Sequence, residues 1–226
     1  MASSGPRAYT SGVTAAAKPL LRGVFHEWAF FAALPLALVL SLEADGTRES
    51  IGAAVFSSSV ALMFGASALY HRVDWSPDKR VLLRRLDHIG IYGLIAGTYT
   101  PVGLIVLHGA WRWSVLGVVW GGALAAAAVK MSRPNAPKWV AASIALTLGW
   151  VGVLVFPQIV SRLGAGAGAL ILGGGLCYTA GAIVYARQRP NPAPRVFGYH
   201  EVFHVLVVAA VAMQYVAVAF FVLRYR

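Results

Sequence analysis

Four side chains near the ends of apolar runs have the types and spacing to hold a metal ion: His71 in SALYH, Asp87 in RRLDH, and His200 and His204 in GYHEVFH. The spacing His200-x-x-x-His204 puts two imidazoles on one helical face about one turn apart, as when a helix offers two nitrogens to one metal. His71, from a different segment, makes a third. Three protein ligands leave one tetrahedral position for water, the pattern of catalytic rather than structural zinc. Asp87 is then either a fourth ligand or the group that holds this water and accepts its proton. Ser67 lies four residues before His71, one turn deeper on the same face, where its hydroxyl can orient the water or stabilise an oxyanion. The chain has a single cysteine, Cys177, so neither an intramolecular disulfide nor a thiolate zinc cluster is available, and a metal site must use nitrogen and oxygen.

A histidine pair at this spacing, taken alone, is more often an interfacial or hydrogen-bonded pair than a metal site. The reading gains weight because charge patterning, an independent signal, places all four residues in one layer. His26 and Glu27 fall in the same layer and are read as interfacial or supporting the ligands. His88 points roughly 100° away from Asp87 around the helix and is read as a packing or hydrogen-bonding residue. His108 lies at the opposite end of its apolar run, too far away to join them.

The elements that must position these residues are membrane helices. The 226 residues are 58% hydrophobic and 12% charged, with a mean hydropathy of +0.68, whereas a soluble domain is about 25% charged. Seven apolar stretches appear, at about 24–42, 51–71, 87–107, 111–130, 139–156, 165–186 and 200–223, separated by turns such as WSPDKR, SRPNAPK and RQRPNPAPR. The fold class is therefore an all-α bundle of seven transmembrane helices over 24–223, with 1–23 as a disordered cytoplasmic tail.

Lysines and arginines are retained in cytoplasmic loops. Fourteen of the nineteen fall in the tail and in the second-to-third, fourth-to-fifth and sixth-to-seventh connections. This bias puts the N-terminus inside and the C-terminus outside, in a multi-pass protein of the inner (plasma) membrane. The formal charge of +11 is thus a topology signal rather than a nucleic-acid face.

GAGAGALILGGG (164–175) lacks the Gly-Lys-Ser/Thr of a phosphate loop and reads as close helix packing through small residues. Pro35 and Pro101 are expected to kink their helices. No internal repeat supports a transporter, and no lysine falls in the last span, where retinal would need one.

In order along the chain, KPLLRGVFH (18–26), SALYH (67–71), RRLDHIGIYGLIAGTYTP (84–101) and HEVFH (200–204) resemble the hemolysin III family, the bacterial branch of the progestin and adipoQ receptor proteins. The resemblance covers nearly the whole chain, and DHIGIYGLIAGTYTP is its most specific part. It implies a seven-helix bundle with the N-terminus inside and zinc bound near the cytoplasmic face by His71, His200 and His204. Asp87 would face the zinc-bound water, with Ser67 as the motif serine nearby. The wider superfamily includes alkaline ceramidases, so the likeness favours zinc-dependent hydrolysis of a lipid amide.

The function expected is zinc-dependent hydrolysis of a lipid amide or ester at the cytoplasmic side, with Zn2+ as cofactor, Asp87 as base, Ser67 assisting, and a membrane lipid as substrate or ligand. A membrane-homeostasis sensor or receptor with structural zinc is the alternative, and a pore-forming hemolysin is the third reading. No nucleic-acid or soluble protein partner is implied.

Overall fold

The computed structural model describes residues 18–133 and 137–225. Positions 1–17 of the expected tail and 134–136 of the SRPNAPK turn lie outside the described residues. Helix α1 spans Val24–Glu43, α2 Thr47–Arg72, α3 Pro77–Pro101, α4 Gly109–Ser132, α5 Lys138–Gly149, α6 Phe156–Arg187 and α7 Tyr199–Ala217. Val102–Val106 and Val218–Val222 extend α3 and α7 as π turns, and Trp150–Val155 extends α5 as a 3-10 turn. Among the described residues the only bridge between extended segments pairs Ala193 with Phe197. The protein is all-α.

Hydrocarbon offers the backbone no hydrogen bonds, so apolar runs that enter it must pair their own N–H and C=O groups, and helices do this locally. The large apolar side chains left outside the bundle, among them Trp28, Leu62, Leu124 and Phe220, form a surface suited to lipid.

Among the described residues, six stretches are long and apolar enough to cross a membrane. One of them, Lys138–Arg187, contains 50 residues; as a straight helix it would run about 75 Å, over twice a bilayer core of about 30 Å. It is not straight. Gly164 leaves the helix with φ 85° and ψ 170°, a conformation open to glycine. Beyond it, Gly168 approaches the Val160 and Phe156 side chains, and the Trp150 indole donates to Thr179 Oγ1 at 3.1 Å. The chain therefore doubles back within this stretch.

The expected third span opens at Asp87, whereas α3 begins ten residues earlier, at Pro77. Hydropathy cannot detect this extension, because DKRVLLRR is too basic to read as membrane. A proline at the first helical position nonetheless starts the helix well, and long basic side chains carry their charge outward from apolar stems. Asp87 thus lies well inside a helix. At Pro101 the α geometry gives way to the π turn.

Successive helices pack side by side, and α7 returns against α1. Small residues set the closest approaches: a Cβ on Gly97 of α3 would sit 2.0 Å from Ser59 Oγ of α2, and one on Gly174 of α6 would sit 2.6 Å from Gln214 Nε2 of α7. Within the glycine run at 164–175, Gly168, Gly173 and Gly174 serve packing, whereas a Cβ on Gly164 or Gly175 would meet nothing within 4 Å.

Candidate metal centre

The site forms where α2 ends and α7 begins. On α2 the last turn carries His71, with Ser67 one turn deeper; both are buried. Close approach of α3 to α2 sets the register of the next residue. Gly90 lies against Met63, where a Cβ would be 3.1 Å from the Met63 Cα, and one turn back this brings Asp87 within hydrogen-bonding reach of Ser67. His200 and His204 project from the first two turns of α7, and both are buried.

The segment before α1 lies over this end of the bundle, held by Leu20 N–H to Arg195 O at 3.0 Å and Leu21 N–H to Val196 O at 3.1 Å. Gly23 follows with φ 84°, and a Cβ there would stand 2.5 Å from the His71 Cβ. Only glycine lets the chain pass so close to this histidine before it enters α1.

His71, His200 and His204 each present a ring nitrogen within 4.8 Å of the other two. The Nε2 atoms of His71 and His200 are 3.1 Å apart. Two nitrogens each about 2.0–2.1 Å from a tetrahedral zinc stand roughly 3.3 Å apart, so this spacing suits a shared metal. His204 Nδ1 is buried without a hydrogen-bond partner. Three buried imidazoles, one with an unmet nitrogen and no thiolate nearby, are a donor set that fits zinc. Asp87 does not belong to the trio.

His26, read from the sequence as interfacial or supporting, is buried inside the site. Its ring stacks on His204, with centroids 3.7 Å apart and planes 6° apart, and its Nδ1 meets Ser67 Oγ at 2.8 Å. Its Nε2 is buried without a partner. Glu27, by contrast, is half-buried and pairs with Arg72 Nε at 2.7 Å. His88 hydrogen-bonds Arg84 O at 2.8 Å and the Tyr185 hydroxyl at 3.0 Å. His108 sits beside Arg162 beyond the far end of α3, about 30 Å from Asp87 along the helix axis.

Glu201 was not singled out from the sequence. HEVFH has the spacing of the zinc-protease helix, in which the intervening glutamate is the base. Here both carboxylate oxygens are engaged elsewhere: Oε1 pairs with Arg22, and Oε2 accepts the Gly198 N–H at 2.8 Å. The readable signal was position, since a glutamate at the third residue of a helix can satisfy the backbone ahead of it.

From His26, His200 and His204 a cavity of about 190 Å³ runs into the bundle between α3, α5, α6 and α7, with His71 outside its lining. Ser67, Asp87, His88, His200 and His204 line its polar end, and side chains as distant as Leu107 and Ile159 line the remainder. Most of its wall is apolar.

The family model described as haemolysin-III related matches residues 14–215. The chain belongs to this family. It is 29% identical over 209 residues to "Hemolysin-3" of Bacillus cereus, which covers 90% of this chain and 91% of that protein. It is 28% identical over 193 residues to "Hemolysin-3 homolog" of Bacillus subtilis (strain 168), covering 85% and 87% respectively. This haemolysin-III related protein is, by family and by its apolar helices, a multi-pass integral protein of the bacterial inner membrane. All the residues of the histidine site fall inside the matched region.

Proposed function

We propose that this haemolysin-III related protein is a zinc-dependent hydrolase of a lipid amide or ester, acting on the cytoplasmic side of the bilayer. The observation that carries this reading is that two of the buried histidine trio, His200 and His204, line an apolar cavity whose wall also holds Asp87 and Ser67. His71, His200 and His204 would hold the zinc, which when bound supplies a Lewis acid for a carbonyl oxygen and makes water acidic enough to lose a proton near neutral pH.

The remaining work falls to the chain itself. Asp87, left out of the trio, accepts the proton of the attacking water. Ser67, anchored by His26, lines the same polar end as Asp87, where its hydroxyl can orient the water. The apolar wall accommodates a hydrocarbon chain and keeps bulk water out, while the polar end sits at headgroup depth. The lysine and arginine bias supports a cytoplasmic N-terminus. The reversal at Gly164 supports counting Lys138–Arg187 as two passes, for seven in all with the C-terminus outside.

The test is release of fatty acid from a panel of lipid amides and esters by detergent-purified protein, abolished by chelation and restored by zinc. Zinc-loaded protein that turns over none of the panel would remove the hydrolase reading.

A second reading is a membrane-homeostasis sensor in which zinc braces the helices. It draws support from the trio's span of α2 and α7, which metal would tie together. A His71→Ala variant that folds but loses hydrolysis supports the enzyme, and one that unfolds supports the brace. A pore is disfavoured because the site's ionisable groups gather at one end instead of lining a path across the bilayer.

A further inference from the structure

Lys138 was counted from the sequence as one more cytoplasmic topology signal, yet its side chain does not simply extend toward solvent. The ammonium donates to the Tyr199 hydroxyl at 2.6 Å and lies over the rings of Tyr199, 5.0 Å from the centroid, and Tyr185, 5.5 Å away. None of the ion pairs among the described residues includes it.

These two tyrosines are also the ones that border His200. Their rings meet its imidazole edge-on, at 5.9 Å for Tyr185 and 6.0 Å for Tyr199. Tyr185 reaches further, through its hydroxyl, to His88 at 3.0 Å, and it lines the cavity. Lys138 is thus held one aromatic ring from His200, a candidate metal ligand, behind the Tyr185 ring that lines the cavity.

A neutral phenol uses one of three ammonium donors, and the ring faces attract the cation without giving it a counter-charge. A lysine in the first turn of a helix also opposes the positive end of that helix's dipole, and Lys138 opens α5. A lysine outside every such ion pair, held beside a site proposed to take a divalent cation, suits a ligand that brings negative charge.

We propose that Lys138, seated on Tyr185 and Tyr199, binds the phosphate of a phosphorylated acyl lipid whose chain occupies the cavity. The proposal rests on the reading of the cavity as a lipid site. A carboxylate released by hydrolysis would remain at the metal, whereas a lipid phosphate lies only a few bonds from the acyl carbonyl. That separation fits an anion held one ring away from His200. Lysine is also a common point-charge partner for phosphate.

The experiment compares two probes of equal chain length, a monoacylglycerol and the corresponding monoacylglycerol phosphate, each titrated into zinc-loaded full-length protein in neutral detergent against a fluorescent fatty-acid probe. The phosphorylated lipid is expected to bind roughly 10–100-fold more tightly, the scale of a charge-assisted hydrogen bond. Lys138→Met, which keeps a stem over the rings, should remove most of that preference, and Lys138→Arg should retain it. Zinc content and thermal stability show whether each variant folds. Inorganic phosphate should compete with the phosphorylated lipid and leave the neutral lipid in place.

Equal binding of the two lipids, or a preference that survives Lys138→Met, overturns the phosphate site while leaving the lipid cavity standing. Binding of neither lipid overturns both. Lys138-dependent binding of inorganic phosphate without any preference between the lipids makes the ligand a free anion and overturns the lipid assignment.

Discussion

His26 and His204 lie face to face, their ring centroids 3.7 Å apart and their planes within 6° of parallel. The contact fixes the ring plane of a candidate ligand from a helix that supplies none itself. The same imidazole holds Ser67 through Nδ1 at 2.8 Å, so one residue of α1 orients groups on α2 and α7. Residues that orient metal ligands typically contribute about 10–100-fold to affinity. His26→Ala should weaken zinc binding by that order in competition with a chelator of known affinity. Unchanged affinity would reduce His26 to a filler of space.

The trio and Asp87 should separate on replacement. His71→Ala, His200→Ala and His204→Ala each leave two imidazoles, which should retain little zinc at low free metal. Asp87 stands outside the trio, so Asp87→Asn should retain most of the zinc while hydrolysis falls about 10²–10⁴-fold, the range for loss of a general base. Ser67→Ala should have a smaller effect. Chelation should also lower the melting temperature of the wild type, because a ligand at 100 times its Kd stabilises by about 2.7 kcal/mol, and should have little further effect on His71→Ala. Zinc loss in Asp87→Asn equal to that in His204→Ala would make Asp87 a direct ligand and weaken the hydrolase reading.

Glu201 tests the likeness of HEVFH to the protease helix. Its side chain is fully buried, and its partner Arg22 is 21% exposed. Removing one member of a buried ion pair typically costs about 3–5 kcal/mol. Arg22→Ala, which strands the carboxylate, should reach the lower part of that range, while Glu201→Gln should cost less because the amide still accepts the Gly198 N–H. Measured per folded, zinc-loaded molecule, Glu201→Gln should keep its hydrolysis while Asp87→Asn loses it. The opposite ranking would transfer the role of base to Glu201.

The sequence made the ligand layer legible because ionisable groups are rare in apolar runs, and Lys and Arg sort the ends of those runs independently. His71, His200 and His204 could therefore be brought together without coordinates. The partners of the site were less legible. The stacking of His26 on His204 depends on how α1 leans against α7, which no spacing encodes, and Lys138 was indistinguishable from any basic residue that ends a span. The start of α3 was missed because a charged helical extension has the composition of a loop. Gly164 was read as part of a packing run, although its backbone is where the chain turns back.

Gly23 shows how a residue without a side chain shapes the centre, and it gives the most selective test of the site's construction. Its φ of 84° is strained for any other residue, and an added Cβ would lie 2.5 Å from the His71 Cβ, inside any allowed contact. That neighbouring atom is fixed to the α2 backbone, so relief requires moving His71 or lifting the segment that carries Arg22 toward Glu201. Gly23→Ala should therefore destabilise by more than the about 0.4–1 kcal/mol that the same change yields as a gain at a compatible site. It should also lower zinc affinity beyond what the stability loss explains. Gly97→Ala is the control: its Cβ would collide with Ser59 at 2.0 Å, but Ser59 precedes His71 by about 18 Å along α2. This variant should lose thermal stability while its folded fraction binds zinc as the wild type does. The measurement is zinc stoichiometry and affinity on the folded fraction of both variants in detergent. If the two lose stability and zinc in the same proportion, Gly23 has no specific hold on His71.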